Sequence, residues 1–175
     1  LNKILQTEGE DYVIASDTDS IYLNLGPLVD KFLSNKSDDK NAVVSLLDKI
    51  CEDKLEPFIE QSYQNLANYV QAYEQKMIMK RENIAERGIW TAKKRYILNV
   101  WNSEGVQYSE PKLKMMGIEA VKSSTPAPCR QMIKDGLKLM MNGTEEDVIK
   151  FIDDCRVKFK SLPPEEIAFP RSVSD

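Results

Sequence analysis

The stretch Tyr12-Val-Ile-Ala-Ser-Asp-Thr-Asp-Ser-Ile-Tyr22 sets a short apolar run on either side of four polar residues. Tyr12 to Ser16 and Ser20 to Asn24 are rich in strand formers, which predicts a β-hairpin with Asp17-Thr18-Asp19-Ser20 at its junction. Tight hairpin turns favour Asn-Gly or Asp-Gly, because their central residues need positive φ. Thr18 is a poor residue for such a turn. Two carboxylates at one tip also repel each other unless a cation lies between or beside them. A local rule broken in this way points to function. Hard carboxylate oxygens without nitrogen or sulfur ligands point to Mg²⁺ or Mn²⁺, with Asp17 and Asp19 as candidate ligands. The plain alternative is a polar loop in which the Asp17 side chain caps the turn.

Leu1 to Gln6, on the near side of the hairpin, reads as the tail of a helix. Beyond it, Pro27 to Leu33 leads into a long helical tract from about Asp39 to Gln75. There Val43, Leu46, Leu47 and Ile50, then Leu55, Phe58, Ile59, Tyr63, Leu66 and Tyr69, recur at three- and four-residue spacing. Pro57 is expected to split or kink this tract. Met77 to Trp101 reads as strands, with Trp90, Ala92, Lys94, Tyr96, Leu98 and Val100 on one face by alternation. Asn102 to Gly105 is a turn, Val106 to Ser109 a returning strand, and Lys112 to Ala120 is extended.

The last third is helical. Ser124-Thr125-Pro126 predicts a helix start with a hydroxyl cap, and Asn142-Gly143 a stop. Thr144 to Asp147 caps a second helix to about Lys160. Pro163-Pro164 ends it, and Ile167 to Phe169 is expected to be extended. The fold class is α+β: an antiparallel sheet holding the hairpin and the Lys93–Tyr96 strand, flanked by helices and followed by a helical lobe from about residue 122.

Two further points carry chemistry. Alternation puts Lys94 on the apolar face, where a lone ammonium needs an anion or must snorkel. Its alternative is a lysine at a sheet edge, and that of Tyr96 is core packing. Glu82 follows Lys80 and Arg81 on a predicted strand, where by itself it reads as a surface ion pair.

Absences narrow the chemistry. The chain has no histidine, which excludes Ser-His-Asp, Cys-His and His-zinc systems within it. Cys51, Cys129 and Cys155 form no CxxC, so neither a zinc site nor a disulfide framework is expected, and free thiols fit a reducing cytoplasm. The net charge of −4 argues weakly against nucleic acid. The distribution argues the other way: residues 30–73 are acid-rich, whereas 76–114 turn basic and can present one basic face to a phosphate backbone. No apolar run approaches the length of a membrane span.

Together these segments resemble family B DNA polymerases, most closely those of T-even-like tailed phages. Residues 12–22 look like the third palm motif of that family. Trp90 to Val100 resembles its KKRY motif, Met116-Gly-Ile-Glu119 with Ser123-Ser-Thr-Pro126 its palm-to-thumb entry, and Ile167 to Arg171 a later thumb segment. The resemblance implies that residues 1–121 are part of a palm and 122–175 part of a thumb. It aligns Asp19 with the palm aspartate that binds the catalytic metals, Asp17 with a second carboxylate near the primer end, and Glu82 with a supporting acid. Lys93, Lys94, Arg95, Tyr96, Lys114, Lys122 and Ser123 fall where such enzymes approach primer–template DNA.

Two Mg²⁺ or Mn²⁺ ions, deoxynucleoside triphosphates, a sliding clamp and the host cytoplasm are implied in the same way. Counterparts of the other metal-binding aspartate, the fingers lysine and the exonuclease are not in the sequence, and the stretch between Glu82 and Trp90 is shorter than in the phage enzymes. The chain is therefore expected to be a segment of a polymerase, inactive by itself. Two alternatives stand beside this: a non-catalytic nucleic-acid-binding module, and a glycosyltransferase using Asp17 and Asp19 as a DxD.

Overall fold

A computed structural model of the chain describes residues 9, 11–33 and 39–171. The helix expected at Leu1 to Gln6 lies outside these residues. Strands β1 (Val13–Asp17) and β2 (Ser20–Leu23) form the expected hairpin, an antiparallel two-stranded sheet. A register shift between Val13 and Ala15 makes Ile14 a bulge. Helices α1 (Gly26–Phe32), α2 (Lys40–Ile50) and α3 (Glu56–Tyr69) follow. Asp39 caps α2, its carboxylate accepting from the N–H groups of Asn41 at 3.0 Å and Ala42 at 3.2 Å.

The long tract is interrupted just ahead of Pro57, as expected, and differs from expectation at its end. Residues Cys51–Leu55 form a π-helical turn that joins α2 to α3, and Pro57 sits in the first turn of α3. The backbone stays helical through the junction, so the wide turn takes up the proline without ending the helix. At the other end α3 stops at Tyr69. Gln71 takes φ +53, and the N–H groups of Gln71 and Ala72 return to the carbonyls of Asn68 (3.2 Å) and Ala67 (2.9 Å). This is a Schellman closure with glutamine in glycine's usual place.

Strands β3 (Asn83–Ala92), β4 (Arg95–Ser103) and β5 (Val106–Met116) form a second antiparallel sheet in that order. The α+β class holds, but the hairpin and the KKRY strand occupy separate sheets. Residues 77–82, which had to bridge them as a strand, make no ladder. An α3 side chain engages their backbone instead: Glu56 accepts from the Arg81 N–H at 3.4 Å. β4 is the centre strand, buried from Tyr96 to Val100, while Pro111 lies on the edge strand β5, where a missing donor is tolerated.

A 3₁₀ turn (Glu119–Val121) leads to α4 (Ala127–Asn142), α5 (Glu145–Ser161) and the short α6 (Pro164–Ile167). Pro126 occupies the cap position of α4 without a side-chain cap bond, so the expected hydroxyl cap is absent; Thr125 is buried. Thr144 and Asp147 form the full capping box of α5. Pro164 opens α6, so only Ala168 onward continues extended, because a proline suits the first turn of a helix.

The chain divides into two compact units. One comprises Leu1–Ile84 with Trp101–Ser109, the other Ala85–Val100 with Glu110–Asp175. In the first, Tyr12, Leu28, Val44, Leu55 and Ala67 are buried. In the second, Ile97, Ile118, Ala120 and Met141 form a core, with Ile89, Leu113, Met115, Ile133 and Leu137 packed against it.

Candidate active site

The hairpin positions its two aspartates differently. Thr18 takes φ +52, so the first of the two turn residues occupies the left-handed region that glycine normally fills. A β-branched residue there is strained, and such strain concentrates at functional sites. Thr18 Oγ1 donates to Asp17 Oδ1 at 3.1 Å, and Ser20 Oγ donates to the Asp17 carbonyl at 3.0 Å. Asp17 is half-buried, on the same face as Ala15 and Tyr22. Asp19 is exposed at the tip. Ile21 lies on the other hairpin face, 37% exposed, and Ile14 at the bulge is 49% exposed.

Within the same unit, Asp19 and Glu82 line one groove of about 970 Å³. Its wall is acidic, with Asp48, Glu52, Glu56 and Glu104, and two cations are set into it. Arg81 pairs with Asp48 at 2.7 Å and donates to Asn102 Oδ1 at 2.6 Å; Lys80 pairs with Glu56. The Glu104 N–H donates to the Glu82 carbonyl at 2.7 Å, fixing the backbone at that position. Cys51 also lines the groove, and burial pushes its thiol up to about 11, too high for a nucleophile at neutral pH. Asp17 is not among the groove's lining residues. Among the described residues no three or more Asp, Glu or Cys side chains cluster as a metal cage. Two aspartates at one tip match the one or two carboxylates by which catalytic Mg²⁺ is commonly held, with substrate oxygens and water supplying the rest.

The remaining candidates belong to the second unit. Lys93 and Lys94 form the turn between β3 and β4, and Lys94 takes φ +61. The alternation that placed Lys94 on the apolar face therefore does not hold at position 94, because a turn residue in the left-handed region belongs to neither strand's pleat. It no longer ranks Lys94 above Lys93. Trp90 and Tyr96 do share a face, their ring centroids 6.2 Å apart, and Tyr96 is only 6% exposed. A Cβ at Gly88 would fall 2.7 Å from the Trp90 ring and 2.8 Å from Leu98, so that face packs tightly.

Arg95 pairs with Glu119 at 2.6 Å, and Lys122 pairs with the same carboxylate at 3.1 Å. Ser123 lies in a loop strapped by Arg130, whose Nη1 donates to the carbonyls of Thr125 at 2.8 Å and Ser123 at 3.3 Å. Lys114 lies on β5. Arg81, Glu119 and Arg130 are the organising residues that the sequence reading did not single out for a role. No sequence pattern flags them, since their partners are set by the fold.

No protein-family model matches the chain. Two curated relatives do. The DNA-directed DNA polymerase of Escherichia phage RB69 is 37% identical over 183 residues, and that of Enterobacteria phage T4 is 31% identical over 183 residues. Each alignment covers 100% of this chain and 20% of the relative, so the chain spans about a fifth of the proteins it matches. No helix among the described residues is long and apolar enough to cross a membrane. From end to end, the chain is thus similar to one stretch of the DNA-directed DNA polymerases of T4-like phages.

Proposed function

We propose that the chain is the part of a template-directed DNA polymerase that carries the Asp17–Asp19 carboxylates and the primer-side KKRY turn. The observation that carries this reading is a strained hairpin tip whose Asp19 shares a groove with Glu82, in a chain matched along its whole length by phage polymerases. Asp19, with Asp17 beside it, would hold divalent metal, Mg²⁺ or Mn²⁺. Two such ions activate a primer 3′-hydroxyl and neutralise the triphosphate and its leaving group when bound. Glu82 supports the site from the groove wall. Residues 1–121 would belong to the palm and 122–175 to the thumb.

The protein's own residues then bind and orient. Lys93, Lys94 and Lys114 would meet the primer strand through sequence-independent phosphate contacts. Arg95, Lys122 and Ser123 would approach the same strand, as would Tyr96, whose ring packs on Trp90. Misplacing the primer end by about 1 Å can cost on the order of 10²-fold in rate, so rigidity here is functional. The substrates would be primer–template DNA and deoxynucleoside triphosphates. The rest of the polymerase and a sliding clamp would be its partners, in the cytoplasm of a phage host.

The test is Asp19→Ala in the complete enzyme. Primer extension should nearly vanish while duplex binding stays close to wild type, because the carboxylate positions metal and contributes little to DNA affinity. Extension retained above roughly a hundredth of wild type would overturn the assignment, since loss of one such electrostatic contact costs about that much.

A further inference from the structure

Glu119 is where two segments of the second unit meet. One carboxylate oxygen takes Arg95 Nη2 at 2.6 Å; the other takes Lys122 Nζ at 3.1 Å. Its neighbours Ile118 and Ala120 are buried in the core with Ile97 and Met141, so the carboxylate stands on a fixed base. Two residues before it, Gly117 brings the main chain against the Lys93–Lys94 turn: a Cβ there would lie 2.3 Å from the Lys94 carbonyl oxygen and 3.0 Å from Arg95 Cγ. Lys94 itself is held at φ +61.

A lysine turn in the left-handed region persists only where its surroundings over-determine it. Here the surroundings are the Gly117 backbone on one side and the Arg95–Glu119 pair on the other. We infer that Glu119 is a positioning residue which, acting through Arg95, fixes the Lys93–Lys94 turn for contact with the phosphates of a primer strand. The primer contact rests on the function proposed above. A second consequence follows from charge: Arg95 and Lys122 are already compensated by Glu119, so they add less to phosphate binding than their number suggests.

The experiment uses the complete polymerase that carries this chain, with Glu119→Gln, Arg95→Gln, the double variant and Lys94→Ala. Single-turnover extension of a saturating primer–template is measured beside duplex affinity and the unfolding midpoint. Glu119→Gln is expected to slow extension about tenfold, from loss of primer alignment. Duplex affinity should hold or rise, because a negative charge has been removed. Arg95→Gln should give a similar loss, and the double variant should be no slower than either single, as for residues acting as a unit. Glu119→Asp, which keeps the charge, should recover part of the rate at an unchanged midpoint; a purely structural role would leave rate and midpoint moving together. Wild-type extension with Glu119→Gln, or losses that multiply in the double variant, would overturn the inference while Lys94→Ala still slows extension. If Lys94→Ala changes neither extension nor the salt dependence of binding, the primer reading fails, and the inference with it.

Discussion

The carbonyl oxygen of Lys94 occupies the space that a side chain at Gly117 would need: a Cβ built there falls 2.3 Å away. Gly117 also sits at φ +66, where side chains are rarely accommodated. Gly117→Ala is therefore expected to destabilise the protein by about 1–3 kcal/mol from backbone conformation alone, with the clash adding to it. Urea unfolding gives the number. A midpoint equal to wild type would mean that the turn moves aside freely.

The Arg81 side chain is 14% exposed and joins Asp48 on α2 to the buried Asn102 on β4. Arg81→Ala removes a half-buried ion pair and a charged hydrogen bond, although Asn102 Oδ1 keeps the Gly105 N–H at 3.2 Å, and should cost about 1–2 kcal/mol. Lys80, its neighbour, pairs with Glu56 from solvent, and Lys80→Ala should hardly move the melting temperature. The two variants side by side test whether burial or mere pairing sets the contribution. Equal shifts would contradict the first.

Acid should loosen the second unit through Glu119. The Arg95 guanidinium bonded to it, then its own backbone N–H, then Lys122, hold its carboxyl at about 2, below the usual 4.5. A folded-state value lowered in this way stabilises fully above about pH 4.5, and the contribution is lost as pH falls from there through about 2. Asp147, lowered by its bonds to Thr144, works in the same direction. Glu119→Gln should flatten the acid limb of the stability profile, seen as a smaller drop in urea midpoint between pH 5 and pH 3. An unchanged drop would show that the pair contributes nothing.

Strain and function are opposed at Thr18. Thr18→Gly removes the side-chain penalty at φ +52, and about 1 kcal/mol of relief is expected to raise the unfolding midpoint slightly. The same change deletes the hydroxyl that donates to Asp17 at 3.1 Å. On the proposed function, extension should fall, though far less than with Asp19→Ala. Faster extension with glycine would mean that the threonine serves no purpose at the site.

The hairpin was legible because its apolar runs are short, rich in strand formers and bounded by Asp17 to Ser20. The start of α5 was legible because Thr144 and Asp147 stand at capping-box spacing. Lys94 was assigned to the wrong surroundings because Lys93-Lys94 carries none of the glycine, proline or asparagine that announces a turn, so two turn residues were counted into the strand pattern. The same limit hid the end of α3 at Gln71. The acidic groove was not legible at all. Arg81 finds Asp48 and Asn102, and Arg95 finds Glu119, across stretches of sequence whose spacing is set only by the folded chain.

Strands β3, β4 and β5 each give residues to both compact units, so the backbone passes from one unit to the other after Ile84, Val100 and Ser109. The units are interleaved along the chain, unlike beads on a string. No single scission of the backbone divides the chain into the one unit and the other. Anyone transplanting the Asp19 hairpin into another scaffold must carry the Trp101–Ser109 return with it, or rebuild the groove wall that Glu104 and Gly105 supply and the Asn102 anchor of Arg81.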